Sequence, residues 1–205
     1  MLLSLAAPLA AVNTVANLPR AVCFNCVVAA TGVLPKLVLS KLREQVDRTE
    51  HLLGLIPPDQ LDWIPELPPG SVRPPLRLSE VLGHLLECLA GVCAALHAVD
   101  PQRLAHFARL REKPVNHRCG IEEARERIRE YMDHIEEGFA LVTADDLARR
   151  IPTVFVPEGE AVLTVLLSNL EHLINHKHQL FFYLKMLGVP VGSRDLYCFR
   201  GGDKT

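Results

Sequence analysis

His172 and His176 stand four residues apart in Ser168-Asn-Leu-Glu-His172-Leu-Ile-Asn-His176-Lys-His-Gln-Leu180, a stretch whose residue pattern predicts helix throughout. Residues at that offset share one helical face, with Cβ atoms roughly 5–6 Å apart, so two imidazoles can reach one metal ion. His84, in Glu80-Val-Leu-Gly-His84-Leu-Leu-Glu-Cys88, lies on a second apolar helix and can complete the set. Three neutral nitrogen ligands that leave one position open describe a reactive metal centre rather than a closed structural one. A lone histidine on an apolar face is ordinarily a hydrogen-bonded core residue. Three of them in one core would each need a partner, at about 1–3 kcal/mol for every buried polar group left unmet. One ion satisfies all three.

The neighbours of this set divide less cleanly. Asn169 and Asn175 flank His172 at three residues, and Gln179 follows His176 by three. These amides are spaced either to orient the ligand rings through their second nitrogens or to sit as polar residues at the rim. Glu80 and Glu87 flank His84 and are candidates for a general base, although surface carboxylates are commoner. His178 points away from His176, so a solvated position is expected, and His97 falls on the opposite side of its helix from His84. His51, His106, His117 and His134 have no partner spacing. No Ser/His/Asp or Cys/His triad can be assembled, which favours metal-centred over covalent chemistry.

The elements that must carry these residues are four long amphipathic helices. The first is expected over about residues 37–56, with Val38, Leu42, Val46, Leu52, Leu53 and Ile56 on one stripe and Pro57-Pro58 ending it. A Pro-rich segment follows, long enough to be an extended crossing rather than a tight turn. The second helix is expected to open at Ser79 as N-cap and to run to about residue 99, with His84 among its core-facing positions. The third begins near Gly120, and its apolar face (Ile121, Ala124, Ile128, Tyr131, Ile135, Phe139, Val142) backs onto a Glu- and Arg-rich solvated one. The fourth is expected over about 159–187, where Gly188 and then Pro190 stop it. With no convincing strand pairs, the class is all-α: a four-helix bundle, in which metal sites are built from facing side chains.

Composition sets the outer limits. The chain has 205 residues, 22 basic against 24 acidic, and a net charge of −2, so it lacks the basic excess that nucleic-acid binding needs. The six cysteines are scattered, and Cys88 and Cys93 read as small buried hydrophobes in a reducing, cytoplasmic setting. The lone Cys23-Phe-Asn-Cys26 is a weak signal for redox or zinc chemistry. Residues 1–36 form an irregular apolar N-terminal extension, with Asn13, Asn17, Pro19, Arg20, Asn25, Gly32 and Pro35 breaking its apolar runs. They resemble an export signal or membrane anchor only weakly and are read as a disordered or misassigned start. Residues 37–190 are assigned to the bundle and 191–205 to a C-terminal tail.

The run His172-Leu-Ile-Asn-His176-Lys-His-Gln179-Leu-Phe-Phe-Tyr-Leu184-Lys-Met-Leu-Gly188-Val-Pro190 resembles the last helix of the DinB-like, damage-inducible superfamily. There, HxxxH-(Arg or Lys)-x-Gln-Leu precedes a Tyr-Leu-x-x-Leu-Gly-Val-Pro ending. Leu78-Ser79-Glu80-Val81-Leu82-Gly83-His84-Leu85 resembles the family's second helix, which follows a Pro-rich loop. His178 departs from the pattern, since many members carry Gly there. The resemblance spans about residues 37–190 and implies an up-down-down-up bundle. It also implies a divalent ion, zinc or nickel, held by His84, His172 and His176.

Two functions follow as expectations. The first is an enzyme, a thiol-dependent transferase or metal-dependent hydrolase acting on a small molecule, with a low-molecular-weight thiol as partner. The second is a noncatalytic metal-binding or stress-response accessory bundle. A homodimer is compatible with both; neither nucleic acid nor membrane is expected as a partner.

Overall fold

The apolar stripes become four long helices in a computed structural model of the chain, which describes residues 32–66, 68, 70 and 74–197. They are α1 (Val33–Leu53), α2 (Leu78–Val99), α3 (Ile121–Leu141) and α5 (Val162–Met186). Two short helices, α4 (Ala144–Ala148) and α6 (Ser193–Leu196), follow α3 and α5. Single 3-10 segments occupy Pro58–Gln60 and Ala105–Glu112. Cys23-Cys26 and nearly all of the apolar N-terminal segment lie outside the described residues.

Each long helix packs against two others, α2 on α3 and α5, and α1 on α3 and α5, so α1 and α2 sit on one diagonal. Named contacts fix the directions. Gly54 at the end of α1 meets Arg125 at the start of α3, so those two run antiparallel. Leu96 and Gly138, both near C-terminal ends, pack together, making α2 and α3 parallel. Gly91 of α2 meets Asn169 in the first half of α5, whereas His84 meets His172 and His176 further along it; α2 and α5 are antiparallel. Gln45 of α1 bonds Lys177 of α5, and His51 bonds Asp195 just beyond α5, so α1 and α5 are parallel. The order is up-down-down-up.

The predicted helix limits shift by a few residues. α1 starts at Val33, with Pro35 in its first turn, where a missing N–H costs nothing. It stops at Leu53, before Pro57-Pro58, because the chain turns at Gly54 into the 3-10 segment. Ser79 does not cap α2. It lies inside the first turn, buried, and its hydroxyl has no hydrogen-bond partner. The exposed donors of that turn are met instead by the Pro-rich crossing: Leu78 N–H donates to the Trp63 carbonyl (3.0 Å) and Ser79 N–H to that of Leu61 (2.9 Å). Glu80 closes the end by accepting the Arg77 N–H at 2.8 Å.

The crossing from α3 to α5 holds more structure than its sequence suggests. Thr143 and Asp146 cap α4 reciprocally, through Asp146 N–H to Thr143 Oγ1 (3.2 Å) and Thr143 N–H to Asp146 Oδ2 (2.9 Å). A two-residue antiparallel pair, β1 (Arg150–Ile151) with β2 (Glu160–Ala161), then closes the loop where no strand was expected. Residues past 190 also pack on the bundle: Leu196 is buried, and its carbonyl accepts from Lys177 Nζ at 3.1 Å. Lys177 is 1% exposed, and Gln45 Oε1 takes a second of its protons at 2.6 Å. The core is otherwise mostly Leu, Val and Ile, with the rings of Phe107, Tyr131, Phe139, Phe181 and Tyr183 and with Cys88 and Cys93 buried inside it. α2 is long and apolar enough to cross a membrane by composition, but that composition is what a core helix needs, and most of it is buried.

Two glycines of α2 set how closely other chain segments approach it. A Cβ at Gly83 would lie 2.0 Å from the His117 carbonyl oxygen, and one at Gly91 would lie 2.0 Å from Asn169 Oδ1. Backbone cannot yield as a side chain can, so Gly83→Ala must displace the loop. The substitution is expected to lower stability by about 1–3 kcal/mol, read as a lower urea midpoint. An unchanged midpoint would show that the loop is free to move.

Candidate metal centre

His84 projects from the first half of α2 toward the antiparallel seam, and His172 and His176 project to meet it from one face of α5. One ring nitrogen of each lies within 4.8 Å of those of the other two. The His84 and His172 Nε2 atoms are 3.2 Å apart, and the ring centroids are separated by 5.0 Å (84 to 172), 4.3 Å (84 to 176) and 4.7 Å (172 to 176). Pairs of rings meet edge to face, at interplanar angles of 84°, 85° and 64° respectively, so the rings do not stack. The structure therefore brings together all three histidines singled out in the sequence. The cluster is half-buried, within reach of solvent.

The second ring nitrogens of His84 and His176 are occupied. His84 Nδ1 bonds Asn116 Oδ1 and lies 3.3 Å from Glu87 Oε2. His176 Nδ1 donates to Gln179 Oε1 at 2.8 Å. Gln179 in turn donates to the Tyr183 hydroxyl (3.0 Å), which donates to the Leu76 carbonyl (3.0 Å), and Trp63 packs edge-on against the Tyr183 ring at 5.2 Å. Acceptors on both Nδ1 atoms hold the protons there and leave the Nε2 lone pairs of His84 and His176 for the cluster. Nitrogens bound to one tetrahedral zinc at about 2.0–2.1 Å would stand roughly 3.3–3.4 Å apart, close to the His84–His172 separation. The donor set and its orientation fit a divalent ion.

Of the three flanking amides, Gln179 alone orients a ligand ring. Asn169 bonds the Val165 carbonyl of its own helix at 2.8 Å, and Asn175 is exposed. Glu80 is committed to the α2 cap, leaving Glu87 as the carboxylate beside His84. His178 is half-buried rather than solvated, bonding the Ile174 carbonyl at 2.8 Å and facing Tyr197. His51, His106 and His134, without partners by spacing, find them in other elements: Asp195 at 2.7 Å, Glu137 at 2.9 Å and Arg109 at 3.4 Å.

Asn116 is the residue that sequence reasoning missed. It lies 32 positions from His84, in the loop before α3, and holds a left-handed backbone conformation (φ 56°). Its N–H donates to the Gly83 carbonyl at 3.1 Å, which docks the loop on α2 beside the ring it orients. Asn tolerates this conformation better than most residues, and that preference is the one sequence signal that could have marked it.

Burial, with the neighbouring imidazoles, lowers the pKa of His172 and of His176, despite the hydrogen bond that His176 donates to Gln179 and the nearby Glu87 charge. Folded rings thus stay neutral where unfolded ones protonate. Below the ordinary value of 6.5 the unfolded chain binds more protons, so stability falls with pH until the folded rings titrate too. Above it the pair contributes no pH dependence. Metal-stripped protein should lose urea resistance between about pH 7 and pH 5, and a His172→Gln/His176→Gln variant should lose less. Equal losses would contradict the assignment.

Residues 41–180 match the sequence model of the DinB superfamily. The fold is similar to the crystal structure of a DinB-like protein, YjoA, from Bacillus subtilis, with a TM-score of 0.53 and 16% identity. That match covers 76% of this chain and 96% of the other. No curated protein matches the chain.

Proposed function

This chain belongs to the DinB superfamily, and on that premise we propose that it is a metal-dependent enzyme centred on His84, His172 and His176. The family is metal-binding. The observation that carries the reading is the convergence of three imidazoles whose outer nitrogens are already satisfied in His84 and His176, so that the remaining lone pairs turn toward one another. Two nitrogens 3.2 Å apart are held by a shared proton or a shared cation, and a cation serves all three rings at once. Imidazole suits zinc and nickel equally, and either is the proposed ion.

A divalent ion held by His84, His172 and His176 would supply Lewis acidity, favouring the deprotonated form of a water or thiol nucleophile. The chain's own residues divide the remaining work. His84, His172 and His176 hold the ion; Asn116 and Gln179 fix the His84 and His176 rings. Glu87, partly exposed and 3.3 Å from His84 Nδ1, lies beside the outer nitrogen, where with Asn116 it holds that ring's proton away from the cluster. Trp63 and Tyr183, brought in by the Pro-rich crossing and α5, wall the Gln179 side. The reaction class proposed is thiol-dependent transfer to a small electrophile, or hydrolysis, in the cytoplasm. A low-molecular-weight thiol is the proposed second substrate.

Elemental analysis of the purified protein should find about one zinc or nickel per chain at this cluster, lost in His176→Ala together with turnover of a thiol–electrophile or ester substrate. Stoichiometric metal with no turnover across thiols, esters and amides would instead identify a noncatalytic metal-binding bundle. Gln179→Leu, which removes the acceptor from His176 Nδ1, should weaken metal binding about 10–100-fold while the fold persists. Unchanged affinity would remove Gln179 from its orienting role.

A further inference from the structure

The loop that carries Asn116 to His84 holds a second convergence of donor atoms. His117, Cys119 and Glu123 form a His-x-Cys-x3-Glu stretch running from that loop into the first turn of α3. One candidate ligand atom from each lies within 4.8 Å of the other two. His117 Nε2 is 2.8 Å from Glu123 Oε1, and Cys119 Sγ lies 3.4 Å from the Gly120 carbonyl. His117 Nδ1, on the other edge of the ring, is buried and has no hydrogen-bond partner among the described residues, so the ring's contacts are made through Nε2. Nε2 is the nitrogen that faces Glu123, so it is the ring atom turned into the cluster, where an ion would take the place of the shared proton.

The backbone presents these donors in a fixed arrangement. Asn116 N–H is anchored on the Gly83 carbonyl (3.1 Å) and Cys119 N–H on that of Ser79 (3.0 Å), so both ends of the donor loop are stitched to the start of α2. Little ordering entropy remains to be lost on binding. Arg127 flanks the set, with Nη1 3.9 Å from Glu123 Oε1, but its guanidinium is engaged by the Pro114 carbonyl (3.0 Å) and the Tyr131 hydroxyl.

We propose that His117, Cys119 and Glu123 form a second site for a borderline-soft divalent cation of the zinc class, with a sulfur, a nitrogen and an oxygen as ligands. This donor mixture separates it from the all-nitrogen cluster, and the two sites share no ligand. The proposal therefore stands whether or not the three-imidazole centre is catalytic. Cys119 is 1% exposed, and burial followed by the Glu123 charge pushes its thiol up to about 12. It stays protonated until an ion displaces the proton, as thiolate ligation requires. Because Asn116 immediately precedes His117, an ion held here also steadies the side chain that aligns His84.

Cobalt(II) is the probe, since thiolate ligation gives a sulfur-to-cobalt charge-transfer band that imidazoles alone do not. Full-length protein with Cys23→Ser and Cys26→Ser, stripped by chelator and kept reduced, should take up about two equivalents of cobalt and develop that band. Cys119→Ser and His117→Gln should each abolish the band and leave about one equivalent. His172→Ala should leave about one equivalent with the band intact. Uptake of a single equivalent without the band, or a band that survives in both Cys119→Ser and His117→Gln, would overturn the site and leave a plain hydrogen-bonded His–Glu–Cys cluster. Should Cys119→Ser fail to fold by circular dichroism, His117→Gln, at a part-exposed position, decides the outcome.

Discussion

The seam between α2 and α5 is the constraint on which the rest of the site depends. Three imidazoles from two helices can share an ion only if the helix axes are close and the rings are held in one register. Gly91 favours the first condition, because a Cβ there would lie 2.0 Å from Asn169 Oδ1 and turn that side chain aside. The antiparallel direction supplies the second, bringing the first half of α2 against the middle of α5, where His172 and His176 lie one turn apart. Gly83 acts on another neighbour, letting the loop before α3 lie directly on the helix, one residue from His84.

Holding rings in a half-buried place requires that their second nitrogens be satisfied, and the connections between helices supply the partners. Asn116 comes from the loop between α2 and α3. The relay from His176 through Gln179 and Tyr183 ends on the Leu76 carbonyl of the Pro-rich crossing. That same crossing provides the Leu61 and Trp63 carbonyls that cap α2. Prolines remove backbone donors and restrict the chain, which leaves carbonyls fixed in place as acceptors. The long diagonal connection is therefore part of the site's support as well as a consequence of the up-down-down-up order.

Much of this was legible from residue patterns. Periodicity located four long helices to within a few residues, because a wide apolar stripe at 3.6-residue spacing has few other ways to be buried. The three clustered histidines were legible for a related reason: two of them are four apart, a local relation that any helix preserves. Partners distant in sequence were not. Asn116, the His51–Asp195 pair and the Lys177–Gln45 bond join residues 32, 144 and 132 positions apart. Ser79 misled because its identity suits a cap, whereas the cap position was decided by where the crossing's carbonyls fall. His178 was expected in solvent on helical geometry alone, but the segment after α5 folds back and puts Tyr197 beside it.

The sequence by itself determined the local facts: which segments are helical, which faces are apolar, and that His172 and His176 share a face. Those follow from short-range sterics and from the spacing of apolar residues, and need no knowledge of neighbours. Only the tertiary structure decided that α2 lies antiparallel to α5 rather than beside α1, and so that His84 joins the pair. Only packing brought the loop at 116–119 down onto Gly83, aligning one ring and gathering a second set of donors. Such relations depend on which surfaces meet, and hence on the free energy of the whole packed core rather than of any one segment.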